Sequence, residues 1–102
     1  MWRQGDVLIQ AIAEIPDGVS AKSDLILAEG EATGHMHRIA DGKTAELFEN
    51  AADLFLRVTA ASATVIHDEH GPIELKTGTY RVWRQREYAP DVIRIKSRPV
   101  RD

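Results

Sequence analysis

Thr79-Tyr80-Arg81-Val82-Trp83-Arg84-Gln85-Arg86-Glu87-Tyr88 is the stretch on which the fold reading turns. It is rich in aromatic and β-branched residues and shows no i, i+3, i+4, i+7 apolar stripe, so it reads as a β-strand, the longest in the chain. Strand alternation puts Tyr80, Val82, Arg84, Arg86 and Tyr88 on one face and Arg81, Trp83, Gln85 and Glu87 on the other. Thr77-Gly78 before it reads as a turn, and Ala89-Pro90-Asp91 ends it. A last strand is expected over Val92-Ile93-Arg94-Ile95-Lys96, followed by a tail at 97–102 that frays.

Working toward the N-terminus, the same period of two recurs. Val7 to Ile12 follows Gly5-Asp6 as a strand, and Pro16-Asp17-Gly18 is a turn. Leu25 to Ala28 is a short apolar strand. The glycines of Glu29-Gly30-Glu31-Ala32-Thr33-Gly34 imply a bend or bulge. His35 to Ala40 and Lys43 to Glu49 read as the arms of a hairpin, with Asp41-Gly42 as a type I′ turn. Asn50 to Asp53 turns into Leu54 to Val58. Ala60 to Ala63 reads as a helical piece or a connector, Thr64 to His67 as a strand, and Gly71-Pro72 as a break before Ile73-Glu74-Leu75. The expectation is an all-β single domain over residues 1–102, a small barrel or sandwich of about seven or eight short strands.

At 102 residues, 43% hydrophobic and 28% charged, the chain holds one modest core and is not of disordered composition. So small a core makes a homo-oligomer an expected way to bury more surface. There is no cysteine, which excludes disulfides, thiolate metal sites and a cysteine nucleophile. No apolar run is long enough to span a bilayer, and the start lacks a signal-peptide pattern, so a cytoplasmic location with no membrane partner is expected. Net charge is -3 but uneven. Residues 1–80 carry 6 Lys/Arg against 13 Asp/Glu, whereas residues 81–102 carry 7 against 3.

All four histidines fall in two compact motifs, Gly34-His35-Met36-His37 and His67-Asp68-Glu69-His70. On a strand, His35 and His37 project to the same side, together with Ile39. His67 and His70 stand where a strand ends, a favoured place for functional residues. Glu31 shares the parity of His35 and His37 and is the nearest candidate carboxylate. Imidazole nitrogen with carboxylate suits Zn, Fe, Ni or Mn, and an incompletely filled shell leaves room for water or substrate. The candidate metal ligands are therefore His35, His37, His67, His70 and Glu31. The same imidazoles, with Glu87 as an orienting carboxylate, form a candidate acid/base set. Arg81, Arg84 and Arg86, interleaved with aromatic rings, are candidate contacts for an anion or nucleic acid.

Gly30 followed by His35-Met36-His37 resembles the opening of the cupin metal motif. A broader resemblance is to an uncharacterised family of small bacterial and phage proteins. It is carried by Gln4-Gly5-Asp6-Val7-Leu8, by Glu29 through His37, by His67-Asp68-Glu69-His70-Gly71-Pro72-Ile73, by Gly78-Thr79-Tyr80-Arg81-Val82 and by Gln85-Arg86-Glu87-Tyr88. That resemblance implies one compact domain and no particular activity.

The leading functional expectation is a His-rich metal-binding β-barrel protein acting as a small metalloenzyme on a small molecule. Beside it stand a metal-independent histidine acid/base hydrolase or nuclease acting on RNA or nucleotides, and a non-enzymatic interaction module of a phage or mobile element. No phosphate loop, dinucleotide fingerprint or nucleophile elbow is present in the sequence.

Overall fold

The computed structural model describes residues 1–29, 35–51 and 53–85. The expected last strand at 92–96, the tail at 97–102, and Glu31, Arg86, Glu87 and Tyr88 lie outside the described residues.

Eight antiparallel strands form one curled sheet, a half-barrel: β1 (Trp2–Gln4), β2 (Val7–Ile12), β3 (Ser20–Ala21), β4 (Ile26–Glu29), β5 (Met36–Ile39), β6 (Ala45–Glu49), β7 (Leu54–Ile66) and β8 (Ile73–Arg84). The spatial order is β1-β2-β8-β7-β5-β4, with β6 also on β7 and β3 on β6. The described residues contain no helix, and no helix is long and apolar enough to cross a membrane. The concave face holds the core. Val7 and Ile9 of β2, Leu56 and Val65 of β7, and Leu75 and Val82 of β8 are almost wholly buried. Tyr80 and Val82 follow the parity read from the sequence, and Arg84 continues it to the rim of the sheet.

Two strands are long, not short: β7 has 13 residues and β8 has 12. Ala60 to Ala63 is neither helix nor connector but part of β7, and Thr77-Gly78 is not a turn but lies inside β8. One feature explains both differences. Val58 pairs with Gly78 and Ser62 with Lys76, so β7 carries two more residues than β8 between the same rungs. This bulge bends the hairpin without ending it. Gly78, at φ +154°, accepts the kink, and the Thr77 hydroxyl donates to the Ala60 carbonyl across it.

Asp41-Gly42 does not make a hairpin. β5 and β6 do not pair with each other; each pairs with β7, β5 at Val65 and Ile66 and β6 from Leu54 to Val58. Gly42 lacks the positive φ of a type I′ turn. The chain instead steps off β7 opposite the bulge and rejoins the same edge. Ala40 N–H donates to Thr64 O, and Thr59 and Ala60 N–H donate to Thr44 O.

The curl brings distant strands together. β1 and β5 are first and fifth in the sheet order, which in a flat sheet would set them roughly 19 Å apart at the usual strand spacing. Yet the Gln4 side chain of β1 and His37 of β5 are in hydrogen-bond contact at 2.8 Å.

Candidate functional site

Three chain segments meet at one rim of the half-barrel. They are the β1–β2 turn (Gln4-Gly5-Asp6), the start of β5 (His35-Met36-His37) and the β7–β8 connection (His67 to Gly71). Alternation along β5 buries His37 and Ile39 and exposes Arg38 between them. His35, just before the strand, lies on the His37 side, in edge contact with His67 at a ring separation of 5.9 Å. His67 follows the last residue of β7, and the turn after it brings His70 back over the same rim. The ring centres lie 4.2 Å apart for His37–His67, 4.7 Å for His67–His70 and 6.1 Å for His37–His70. All four imidazoles therefore form one cluster.

Gln4 is the hub of this arrangement. It is 2% exposed, and its Nε2 donates to Val65 O at 3.1 Å and to Gly71 O at 2.9 Å. Those two acceptors fix the orientation of the amide, so Oε1 must accept from His37, at 2.8 Å. His37 consequently carries its proton on Nδ1 and has its lone pair on Nε2. That Nε2 lies 3.7 Å from Asp6 Oδ1. Burial, then the neighbouring charge of His67, push the His37 pKa down to about 4; Asp6 opposes this, and His70 and Arg84 reinforce it. His37 is thus a neutral imidazole near neutral pH, with an available Nε2.

Asp6 joins His37 to a guanidinium. Its Oδ2 accepts from Arg84 Nε at 2.6 Å. Burial raises the Asp6 pKa, but the hydrogen bond and charge of Arg84, a backbone hydrogen bond and His37 outweigh it, and the net shift is downward. Gly5, between Gln4 and Asp6, has φ +60°, the left-handed region. A Cβ there would lie 2.9 Å from His70 Nε2 and 3.3 Å from His37 Cε1, so the two rings occupy the space a side chain would need. Glu69 is the second carboxylate, 3.6 Å from His35 Nδ1. Its backbone N–H donates to His67 Nδ1 at 3.0 Å, which leaves the proton of a neutral His67 on Nε2.

The four histidines named from the sequence come together here. The carboxylates expected beside them, Glu31 and Glu87, lie outside the described residues. Gln4, Gly5, Asp6 and Glu69 are the site residues that the sequence reading missed. Asp6 reads locally as the head of a strand, and Glu69 as an interior residue of the His67–His70 motif. Gln85 accepts from Arg3, not from an imidazole. The arginines expected to bind an anion carry carboxylates already. Arg81 pairs with Asp53 at 3.0 Å and stacks on the Trp83 ring at 4.6 Å, and Arg84 pairs with Asp6. Arg86 lies outside the described residues. Among the described residues, no group of three or more His, Asp or Glu side chains already stands in a geometry that could hold a metal ion.

A protein-family model described as "Domain of unknown function (DUF8820)" matches residues 3–85. The chain belongs to this family. The DUF8820 match contains every residue of the cluster just described, from Gln4 to Arg84. No curated protein and no solved structure matches the chain.

Proposed function

We propose that this DUF8820 protein binds one divalent transition metal ion at the histidine cluster and works as a small metalloprotein. His37 Nε2 is the anchoring ligand, Asp6 supplies the carboxylate, and His35 and His70 supply further imidazoles; His67 joins them only by giving up the bond its Nδ1 accepts from Glu69 N–H. The observation that carries this reading is the hydrogen-bonded pair Gln4–His37 beside Asp6. A metal-bound histidine characteristically donates its other ring N–H to a fixed acceptor, and Gln4 Oε1 is such an acceptor. Spacing agrees. With metal–nitrogen bonds of about 2.0–2.1 Å, two imidazoles on one ion have ring centres roughly 5 Å apart. The observed separations bracket that value, from 4.2 to 6.1 Å. The rings have to turn before their nitrogens converge on one ion, since no such group is in place among the described residues. Nitrogen and carboxylate donors suit Zn, Fe, Ni or Mn, and an ion held this way activates a bound water.

The test is metal analysis of protein purified without an affinity tag, followed by calorimetric titration of Zn²⁺, Ni²⁺, Fe²⁺ and Mn²⁺ into chelator-treated protein. One ion per chain, lost in His37→Ala and weakened in Asp6→Asn, is expected. Protein that is purified metal-free and binds none of the four ions would overturn the reading.

One observation favours a second reading, metal-independent acid/base chemistry on RNA or nucleotides. His37 keeps its Nε2 lone pair free, as a general base requires, and the His67 ring stands 4.2 Å away as its partner group. Chelator-resistant phosphodiester cleavage with a bell-shaped pH profile would favour it over the metal centre.

A further inference from the structure

A cavity of about 640 Å³ opens beside Arg84, the residue that pairs with Asp6 of the histidine cluster. Its apolar wall includes Val7, Leu27, Leu54 and Val82, and its polar wall includes Arg81 and Arg84. A smaller cavity of about 360 Å³, bordered by Arg3, Gly5, Asp6 and Gln85, lies on the histidine side. Gln85 borders both. The Arg84–Asp6 ion pair spans them, with Arg84 in the larger and Asp6 in the smaller. Asp6 in turn stands 3.7 Å from His37 Nε2.

We infer that the larger cavity binds a small organic anion with an apolar body, held by Arg84, so that its charged end faces the Asp6–His37 side of the site. Three observations combine. The volume lies within the usual range for small-molecule sites, roughly 300–1,000 Å³. The accessible apolar part of the wall comes from Ala28 of β4, Leu54 of β7 and Trp83 of β8, with Val7, Leu27 and Val82 packed behind them. The charged residues bordering the two cavities are three arginines against two aspartates, a local positive excess in a chain of net charge -3. Arg84 spends its Nε on Asp6, and a guanidinium has further N–H donors for an oxyanion. Carboxylate and phosphate share this chemistry.

What becomes of the ligand rests on the reading of the histidine cluster; its binding does not. The experiment therefore uses chelator-treated full-length protein, with phenyl phosphate, benzoate, inorganic phosphate and benzyl alcohol titrated separately and followed by amide chemical shifts. Phenyl phosphate or benzoate is expected to shift Val7, Leu27, Val82 and Arg84, and which of the two binds tighter identifies the oxyanion. Inorganic phosphate and benzyl alcohol, each lacking one half of the recognition, are expected to bind at least about tenfold more weakly, the worth of one charge-assisted hydrogen bond or of a buried ring. Arg84→Gln should weaken the aryl anion by about tenfold or more. Arg84→Lys, which keeps the charge and the fold's ion pair, should lose less. Shifts confined to other residues, equal binding of all four probes, or an unchanged affinity in folded Arg84→Gln would overturn the inference. A metal titration that fails on the same sample would sink the metal reading and leave this one standing.

Discussion

Replacing Gln4 with leucine removes hydrogen bonds to three partners. The leucine is similar in size, so packing volume is nearly kept and the polar loss dominates. Of the three partners, Gly71 is exposed and its carbonyl can turn to water. Val65 is fully buried, but its carbonyl lies in the β7–β8 ladder opposite Ile73, so His37 Nδ1–H, on a ring 4% exposed, is the group left without a partner inside the fold. That stranded group costs about 1–3 kcal/mol and the lost bonds to Val65 O and Gly71 O about 0.5–1.5 kcal/mol each, which sums to about 2–6 kcal/mol for Gln4→Leu. Domains of this size are stable by about 5–15 kcal/mol, so the loss is a large share of the total. Urea unfolding followed by tryptophan fluorescence measures it. With a urea slope of about 1–3 kcal/mol/M, the midpoint should fall by about 1 M or more. Gln4→Glu separates fold from chemistry. It keeps an acceptor for His37 but replaces the donor to Val65 O and Gly71 O with a second acceptor. It should destabilise the fold while raising the His37 pKa, since a carboxylate favours the imidazolium. A stability loss below about 1 kcal/mol in Gln4→Leu, less than one stranded group is worth, would refute the claim that Gln4 holds the site together.

Gly5→Ala should cost at least about 1 kcal/mol from the left-handed backbone alone, and its methyl should displace the His70 ring, which histidine ring NMR shifts would report; a neutral substitution would contradict the packing. Acidification should destabilise the fold in a defined window. His37 titrates near 4 when folded but near its ordinary 6.5 when unfolded, so between those values the unfolded chain binds the extra proton and stability falls as pH falls. The loss is on the order of 3 kcal/mol, complete below about pH 4. Asp6, with its pKa lowered by Arg84, adds a further loss below its ordinary 3.8; a denaturation midpoint that stays flat from neutral to pH 4 would contradict both the burial and the tautomer of His37. Metal binding should raise stability by about 2.7 kcal/mol at a hundredfold excess over Kd, seen as a shifted urea midpoint that His37→Ala abolishes; an equal shift in that variant would place the ion elsewhere.

The strands were legible where a residue's own period decides its face. Val7 and Ile9, Tyr80 and Val82, and His37 and Ile39 all point inward as alternation requires. The turn at Gly18 and the Asn50–Asp53 turn were legible because their chemistry is local: positive φ at Gly18, and the Asn50 side chain accepting from Asp53 N–H at 2.8 Å. The sequence misled where a local turn signal was overruled by a long-range pairing. Asp41-Gly42 is a strong hairpin dipeptide, yet β7 offers edge positions to both flanking strands, and the chain takes those instead. Thr77-Gly78 and Ala60 to Ala63 look like interruptions because they are the two sides of one bulge. Nothing within either segment tells a bulge from a turn, since that depends on the register of the partner strand.

The histidines were legible for the same local reason, and their partners were not. Gln4 and His37 are 33 residues apart, and they meet because the sheet curls until its first strand faces its fifth. Carboxylates sought along the strand are Glu31 and Glu87, while the fold supplies Asp6 from the far edge of the sheet. The same curl governs any ligand of the cluster. Gln4 ties β1 to β5, to β7 and to the β7–β8 connection through three hydrogen bonds. The imidazoles come from β5 and from that connection, and Asp6 from the β1–β2 turn. A group that gathers His37, His70 and Asp6 therefore draws together the same segments that Gln4 already joins. A ligand that gathers those segments would therefore be favoured by the contacts Gln4 makes, and Gln4→Leu should weaken its binding although Gln4 touches no ligand.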